Sequence, residues 1–247
     1  MFQLYLAILS LFFLLSTFVE SYNNIHPIPK NNLPYEVVTH LAYIDISIEK
    51  RPAKRLHIAL FRNKMPKMVE NFLNLCTGKK GTNKDGVRLH YKGTKINRIK
   101  RHSYIEGGDL MNTGENEKGV SSFGDHGEPF YADNYDLGHN DMGYVAMRIE
   151  SNALTKHFTS FFYITTRKID IYDNLHVVFG RLLYQEERIW LRNELRHIGT
   201  VSGYDNYPIG IEVVKLPLVE IVDSGELPIT GEETAMLNPE HYKKSDL

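Results

Sequence analysis

Ala42, Ile44, Ile46 and Ile48 alternate with other side chains, the run breaks at Glu49-Lys50-Arg51-Pro52, and alternation resumes at Leu56, Ile58 and Leu60. A period of two around a proline-containing break predicts a β-hairpin with one buried face. The period then lengthens. From Lys64 to Gly78, Met65, Met68/Val69, Phe72 and Leu75/Cys76 recur at helical spacing, with Pro66 suited to a first helical position and Gly78 to a C-terminal cap. A short amphipathic helix is predicted there. Further on, glycines and turn residues punctuate short strand-like runs at Tyr144 to Met147, Ser160 to Thr166, Val177 to Leu183 and Ile211 to Val222. Between the last two, Glu186 to Ile198 carries Leu191, Leu195 and Ile198 at i, i+4 and i+7, a second helix. Many short strands with one early and one late helix predict a mainly β fold, a closed or nearly closed barrel with helices over its ends.

The ends read differently. Phe2 to Val19 is apolar except for Gln3 and a few hydroxyls, and it runs into Val19-Glu20-Ser21. The expectation is a secretory signal peptide over residues 1–21, cut after Ser21; an uncleaved signal anchor is the alternative. Tyr22 to Val38 holds three prolines and four asparagines with no periodicity and reads as an extended linker. Residues 39–227 form the expected domain, and 228–247 a polar tail. Its last residues, Lys244-Ser245-Asp246-Leu247, only loosely resemble an ER-retrieval tetrapeptide.

Composition narrows the class. Over 247 residues, 42% are hydrophobic and 24% charged, which excludes a disordered chain or a fibre and leaves room for one real core. Lys+Arg 29 against Asp+Glu 30 gives net charge −1, so no basic footprint for nucleic acid exists. The lone Cys76 excludes an internal disulfide and a multi-thiolate zinc site, and reads as a buried core thiol. No nucleophile elbow, Walker loop or dinucleotide-binding glycine pattern is present, and the 11 His show no metal-ligand spacing. Neither a metal nor a cofactor is expected. Asp133 and Asp136 sit among turn residues and read as solvated acids.

The remaining signal is a series of blocks. Pro66-Lys67-Met68-Val69-Glu70-Asn71-Phe72 followed by Leu75-Cys76-Thr77-Gly78, the loop Gly81 to Gly93, and Arg98-Ile99 with Gly107-Gly108-Asp109 come first. Phe130 to Tyr135, Ser160 to Thr165, His176 to Gly180 and Val222 to Leu227 follow. In this order they resemble the cyclophilin family of peptidyl-prolyl cis-trans isomerases over residues 39 to 227. The resemblance implies a closed eight-stranded antiparallel β-barrel capped by two α-helices. It also implies a proline-containing peptide or client protein as partner, with no membrane association after signal cleavage.

Chemistry says what such a site needs. An X-Pro bond turns over slowly because amide resonance imposes a barrier of roughly 18–20 kcal/mol. A catalyst needs an apolar slot for the ring and a cation donating to the prolyl nitrogen. By resemblance Arg98 is the catalytic donor and His176 lines the slot. Elsewhere the sequence departs from the family. Ser103-Tyr104-Ile105-Glu106 stands where the family has Phe-Met-x-Gln, and Arg148-Ile149 replaces Ala-Asn. Phe161 replaces a Gln, Tyr163 a Phe, Ile171 the Trp that supports cyclosporin binding, and Tyr172 a Leu. Tyr104, Glu106, Arg148, Phe161, Tyr163, Ile171, Tyr172 and His176 are therefore the expected substrate-binding residues. Glu106 is expected to pair with Arg98 and compete with the prolyl nitrogen for its donors. Arg148 is expected to block or recharge the groove, and cyclosporin to bind weakly. Two readings result: a secretory-pathway isomerase with reduced or lost catalysis, and a catalytically silent peptide-binding module of the same fold.

Overall fold

The computed structural model describes residues 36–100, 102–113, 118–150, 156–196 and 218–230. Eight strands form one antiparallel sheet: β1 (His40–Ile48), β2 (Lys54–Leu60), β3 (Ile96–Lys100), β4 (Tyr104–Gly107), β5 (Tyr144–Met147), β6 (Phe162–Thr165), β7 (Val177–Leu182) and β8 (Val219–Leu227). They pair in the order β3-β4-β6-β5-β7-β2-β1-β8. The two ends of that order meet at the Lys95/Glu220 bridge, where the Ile221 amide also donates to the Thr94 carbonyl at 2.8 Å. The sheet is thus a nearly closed barrel, which leaves few strand edges unpaired.

The predicted hairpin is β1–β2, with Ala42 opposite Ile58 and Ile44 opposite Leu56. Their alternating side chains point inward and are fully buried. β3 and β4 carry too few apolar positions to stand out by period, and only the family resemblance located them. β8 begins at Val219; residues 211–217, where the apolar run starts, lie outside the described residues.

Helix α1 (Pro66–Thr77) has Pro66 in its first turn and ends at Gly78, whose φ of 65° favours glycine. A Cβ there would also meet the His90 ring at 2.7 Å. Its amide donates to the Asn74 carbonyl. The helix start is tied from a distance: the Lys67 amide donates to Asp133 Oδ2 at 3.0 Å. Asp133, expected to be a solvated acid, is therefore a helix-terminus partner, because a carboxylate complements exposed amides there. Phe72 carries the core face, packing its ring on Tyr91, Phe162 and Phe179 at 5.0–5.4 Å.

Helix α2 (Gln185–Arg196) buries Leu191; the Leu195 side chain and Ile198 lie outside the described residues. Glu187 fixes it to β2 by accepting from the His57 amide at 2.9 Å. Cys76 is buried, as expected, and burial raises its thiol pKa well above the usual range.

Residues 36–38, the end of the expected linker, pack on the barrel. Glu36 accepts from the Tyr144 hydroxyl at 2.8 Å and faces Arg181. The expected signal peptide, the rest of the linker and the tail beyond residue 230 lie outside the described residues. No helix among the described residues is long and apolar enough to cross a membrane.

Candidate functional site

Strand pairing builds the site. Arg98 on β3 stands opposite Glu106 on β4, Glu106 opposite Tyr163 on β6, and Tyr163 opposite Ala146 on β5. One residue further along, Ile99, Ile105, Ile164 and Val145 form the neighbouring row. Successive strand residues face opposite ways, so the isoleucine row fills the barrel and the Arg98 row lies on its outer surface. That surface is itself covered. The rings of His139 and His176, and of Tyr172 on the 3-10 turn Asp170–Tyr172, fold over it.

Two clusters result. In the first, the Glu106 carboxylate is only 2% exposed and stands between two guanidiniums: Arg98 Nη1 at 3.7 Å and Arg148 Nη1 at 3.4 Å. Burial pushes its pKa above the usual carboxylate value, while Arg148 and then Arg98 pull it back. Arg148 sits over the Phe161 ring, Cζ 4.0 Å from the centroid, and turns Nη2 towards Glu150 at 3.8 Å. Glu150 is held in place by the Gly119 amide at 2.7 Å. Phe161, expected to line the groove, is fully buried beneath Arg148. A long cation over an aromatic ring covers that face of it.

The second cluster is a nest of rings. Tyr104 meets Tyr163 at 5.0 Å, Tyr163 meets His176 at 5.3 Å, and Tyr172 meets His176 at 4.9 Å. Tyr163 is 1% exposed. Its hydroxyl lies 2.6 Å from His139 Nε2, and His139 Nδ1 lies 2.7 Å from Asp173. The Asp173 carboxylate accepts from Nδ1–H, which leaves Nε2 to accept from the phenol. Burial lowers the pKa of His139, opposed by Asp173, so a neutral ring fits both contacts. His176 is neutral as well, its pKa lowered to about 3, first by burial and then by His139 and Arg148. Its Nδ1 accepts the Ile149 amide at 3.2 Å, which places its proton on Nε2. Lys100, two positions from Arg98 on β3, donates to the Tyr172 hydroxyl at 3.2 Å.

Of the residues expected from sequence, Arg98, Glu106, Arg148 and Phe161 come together in one cluster. Tyr104, Tyr163, Tyr172 and His176 form the other. Ile171 stands apart, 75% exposed on the 3-10 turn. Sequence reasoning missed His139, Asp173, Glu150 and Lys100. His139 and Asp173 are 34 positions apart, and no local spacing marks them as partners. The one available clue was Tyr163 itself, because a buried phenol needs a partner for its hydroxyl.

The junction after β4 also depends on one glycine. Gly108 has φ 104°, and a Cβ there would meet the Ser160 carbonyl oxygen at 2.3 Å.

A nearly closed eight-stranded barrel with two helices, and an arginine on the outer face of β3, define a cyclophilin-like domain. Residues 43–203 match the family described as "Cyclophilin type peptidyl-prolyl cis-trans isomerase/CLD". The chain is 34% identical over 191 residues to "Peptidyl-prolyl cis-trans isomerase CYP21-1" of Arabidopsis thaliana, covering 77% of each protein. It is 36% identical over 184 residues to "Probable inactive peptidyl-prolyl cis-trans isomerase-like 6" of Homo sapiens, and 34% over 170 residues to the Bos taurus protein of that name. Those matches cover 74% and 69% of this chain and about half (53% and 51%) of the mammalian relatives. The chain belongs to the cyclophilin-type peptidyl-prolyl cis-trans isomerase family.

Proposed function

We propose that this protein binds proline-containing segments of client proteins in the secretory pathway and isomerises X-Pro bonds with reduced efficiency or not at all. The observation that carries this reading is the buried Glu106 carboxylate held between Arg98 and Arg148. An arginine accelerates rotation only while its donors polarise the prolyl nitrogen, and a carboxylate beside it competes for the same donors. Each 1.4 kcal/mol or so lost in the transition state is about tenfold in rate. The names of the two mammalian relatives accord with weak turnover.

The silent-module reading rests on Tyr163. Its ring, by resemblance part of the slot, is 1% exposed beneath its neighbours, so a proline ring enters only if they move. The secretory assignment rests on the apolar run Phe2 to Val19 ahead of Ser21, and N-terminal sequencing of the mature protein should begin at Tyr22. A signal-anchored form would instead retain residue 1. Weak cyclosporin binding belongs to the same proposal, because Ile171 offers no indole N–H.

A protease-coupled isomerisation assay tests the catalytic part. The parent should give slow turnover or none. Glu106→Gln should raise the rate by about tenfold, the equivalent of ~1.4 kcal/mol, and adding Arg98→Ala to it should abolish the gain. A parent as fast as an unmodified cyclophilin would refute the proposal, and a Glu106→Gln rate equal to the parent's would refute the quenching role of Glu106.

A further inference from the structure

Lys100 is a half-buried cation at the edge of the ring nest. It stands opposite Tyr104, two positions from the Arg98/Glu106 pair and on the same outer face of the barrel. Its Nζ donates to the Tyr172 hydroxyl at 3.2 Å. An ammonium has three protons, and a phenol that accepts one hydrogen bond still has its own proton to give. Among the described residues, no acceptor takes the remaining protons of Lys100 or that of Tyr172. The acids around the nest are engaged elsewhere: Asp173 with His139, Asp170 with Lys168 at 3.2 Å, and Glu106 between its two arginines. We infer that Lys100 and Tyr172 form a carboxylate subsite that selects an acidic side chain beside the proline of a bound peptide. The inference rests on the peptide-binding reading above.

Two donors 3.2 Å apart suit one carboxylate, whose two oxygens can accept from both at once. A side-chain amide offers one oxygen and no charge, so it gains less at the same place. A basic side chain meets like charge. The position agrees with a bound peptide. The Tyr172 ring meets those of Tyr104, Tyr163 and His176 at 4.9–6.1 Å, so the ammonium lies one ring away from the expected proline slot. Successive residues of an extended peptide stand about 3.3–3.4 Å apart, which brings a side chain beside the proline within reach of it. The two donors come from different elements, β3 and the 3-10 turn, and their mutual hydrogen bond holds them side by side before any peptide arrives. Such preorganisation reduces the ordering that binding has to impose.

The test is fluorescence anisotropy on the full chain with labelled peptides that differ only beside the proline, where Glu, Gln or Lys is placed in turn on either side. In one of the two positions the Glu peptide should bind about three- to tenfold tighter than the Gln peptide, and Lys should bind more weakly than Gln. Lys100→Met should bring the Glu-to-Gln ratio to one. Tyr172→Phe keeps the charge and loses the hydroxyl, and should lower the ratio without erasing it. Equal affinity for the Glu and Gln peptides at both positions overturns the subsite and leaves peptide binding standing, as does a preference that survives in Lys100→Met. An unchanged ratio in Tyr172→Phe overturns the sharing of the carboxylate between the two donors. Binding of no peptide overturns the peptide-binding reading and the subsite with it. The parent's Glu-to-Gln ratio decides the matter even where a variant fails to fold.

Discussion

The two faces of the β3-β4-β6-β5 sheet differ by one residue of register and by most of their chemistry. Inside, Ile99, Ile105, Ile164 and Val145 face the barrel interior with Phe162 and Met147. These side chains ask only for volume and contact, and packing satisfies them. Outside, Arg98, Glu106, Tyr163 and Ala146 stand in the same lateral order, and there the Glu106 carboxylate and the Tyr163 hydroxyl meet specific partners from other elements. Both faces are largely buried, yet for different reasons. The inner face is covered by the rest of the barrel and α1, the outer one by the rings and guanidinium folded over it. The inner face holds the fold; the outer one places groups where a peptide could meet them.

Changes made on each side should keep that division. The largest effect belongs to the core. Phe162→Ala removes a fully buried ring that touches Phe72 and Tyr91, and should cost about 3–5 kcal/mol in urea unfolding at an unchanged m-value. A loss below about 1 kcal/mol would mean that the inner row is not what holds the sheet.

Next comes pH. His176 titrates near 3 when folded against 6.5 as its ordinary value, so the unfolded chain binds the extra proton. Stability is therefore complete above about pH 6.5 and declines as pH falls towards 3, by about 2 kcal/mol between pH 7 and 5. His139, also lowered, adds in the same direction. Replacing His176 with Asn should flatten much of this dependence, and an equally steep profile in that variant would disprove the assignment.

Tyr163→Phe should cost less, about 1–2 kcal/mol, because it leaves the buried His139 Nε2 without its donor. The His139 imidazole resonances in NMR should move with it; unchanged resonances would show that the phenol is not its partner. The smallest effect on stability belongs to Ile171→Trp, on a side chain that is mostly exposed. Unfolding should shift by no more than about 0.5 kcal/mol. Cyclosporin affinity by calorimetry should nevertheless rise about two- to tenfold, the worth of one added hydrogen bond. A stability change without a binding change would break the contrast between the faces.

Legibility follows the same division. The hairpin, α1 and much of α2 were readable because burial of one face imposes a period of two or 3.6 on the chain. β3 and β4 were not, since Ile96-Asn97-Arg98-Ile99-Lys100 alternates poorly and its outer positions are polar for reasons local to the site. There the ordered family blocks supplied what periodicity could not. Arg98, Glu106, Tyr163 and His176 could be named from those blocks, and the Arg98–Glu106 pair could be expected from charge. Asp133 was readable as a surface acid but not as a helix partner, because the Lys67 amide is 66 positions away.

What the sequence determined by itself was the inward pattern, the chain order of the family blocks and the positions where this chain departs from them, because each is written in local spacing or local type. What only the tertiary structure decided was partnership. It joined Glu106 to two arginines, laid Arg148 over Phe161, and linked Tyr163 through His139 to Asp173. Those contacts depend on strand register and on which loop covers the outer face, and they arise only when the barrel closes and brings distant residues within a few ångströms.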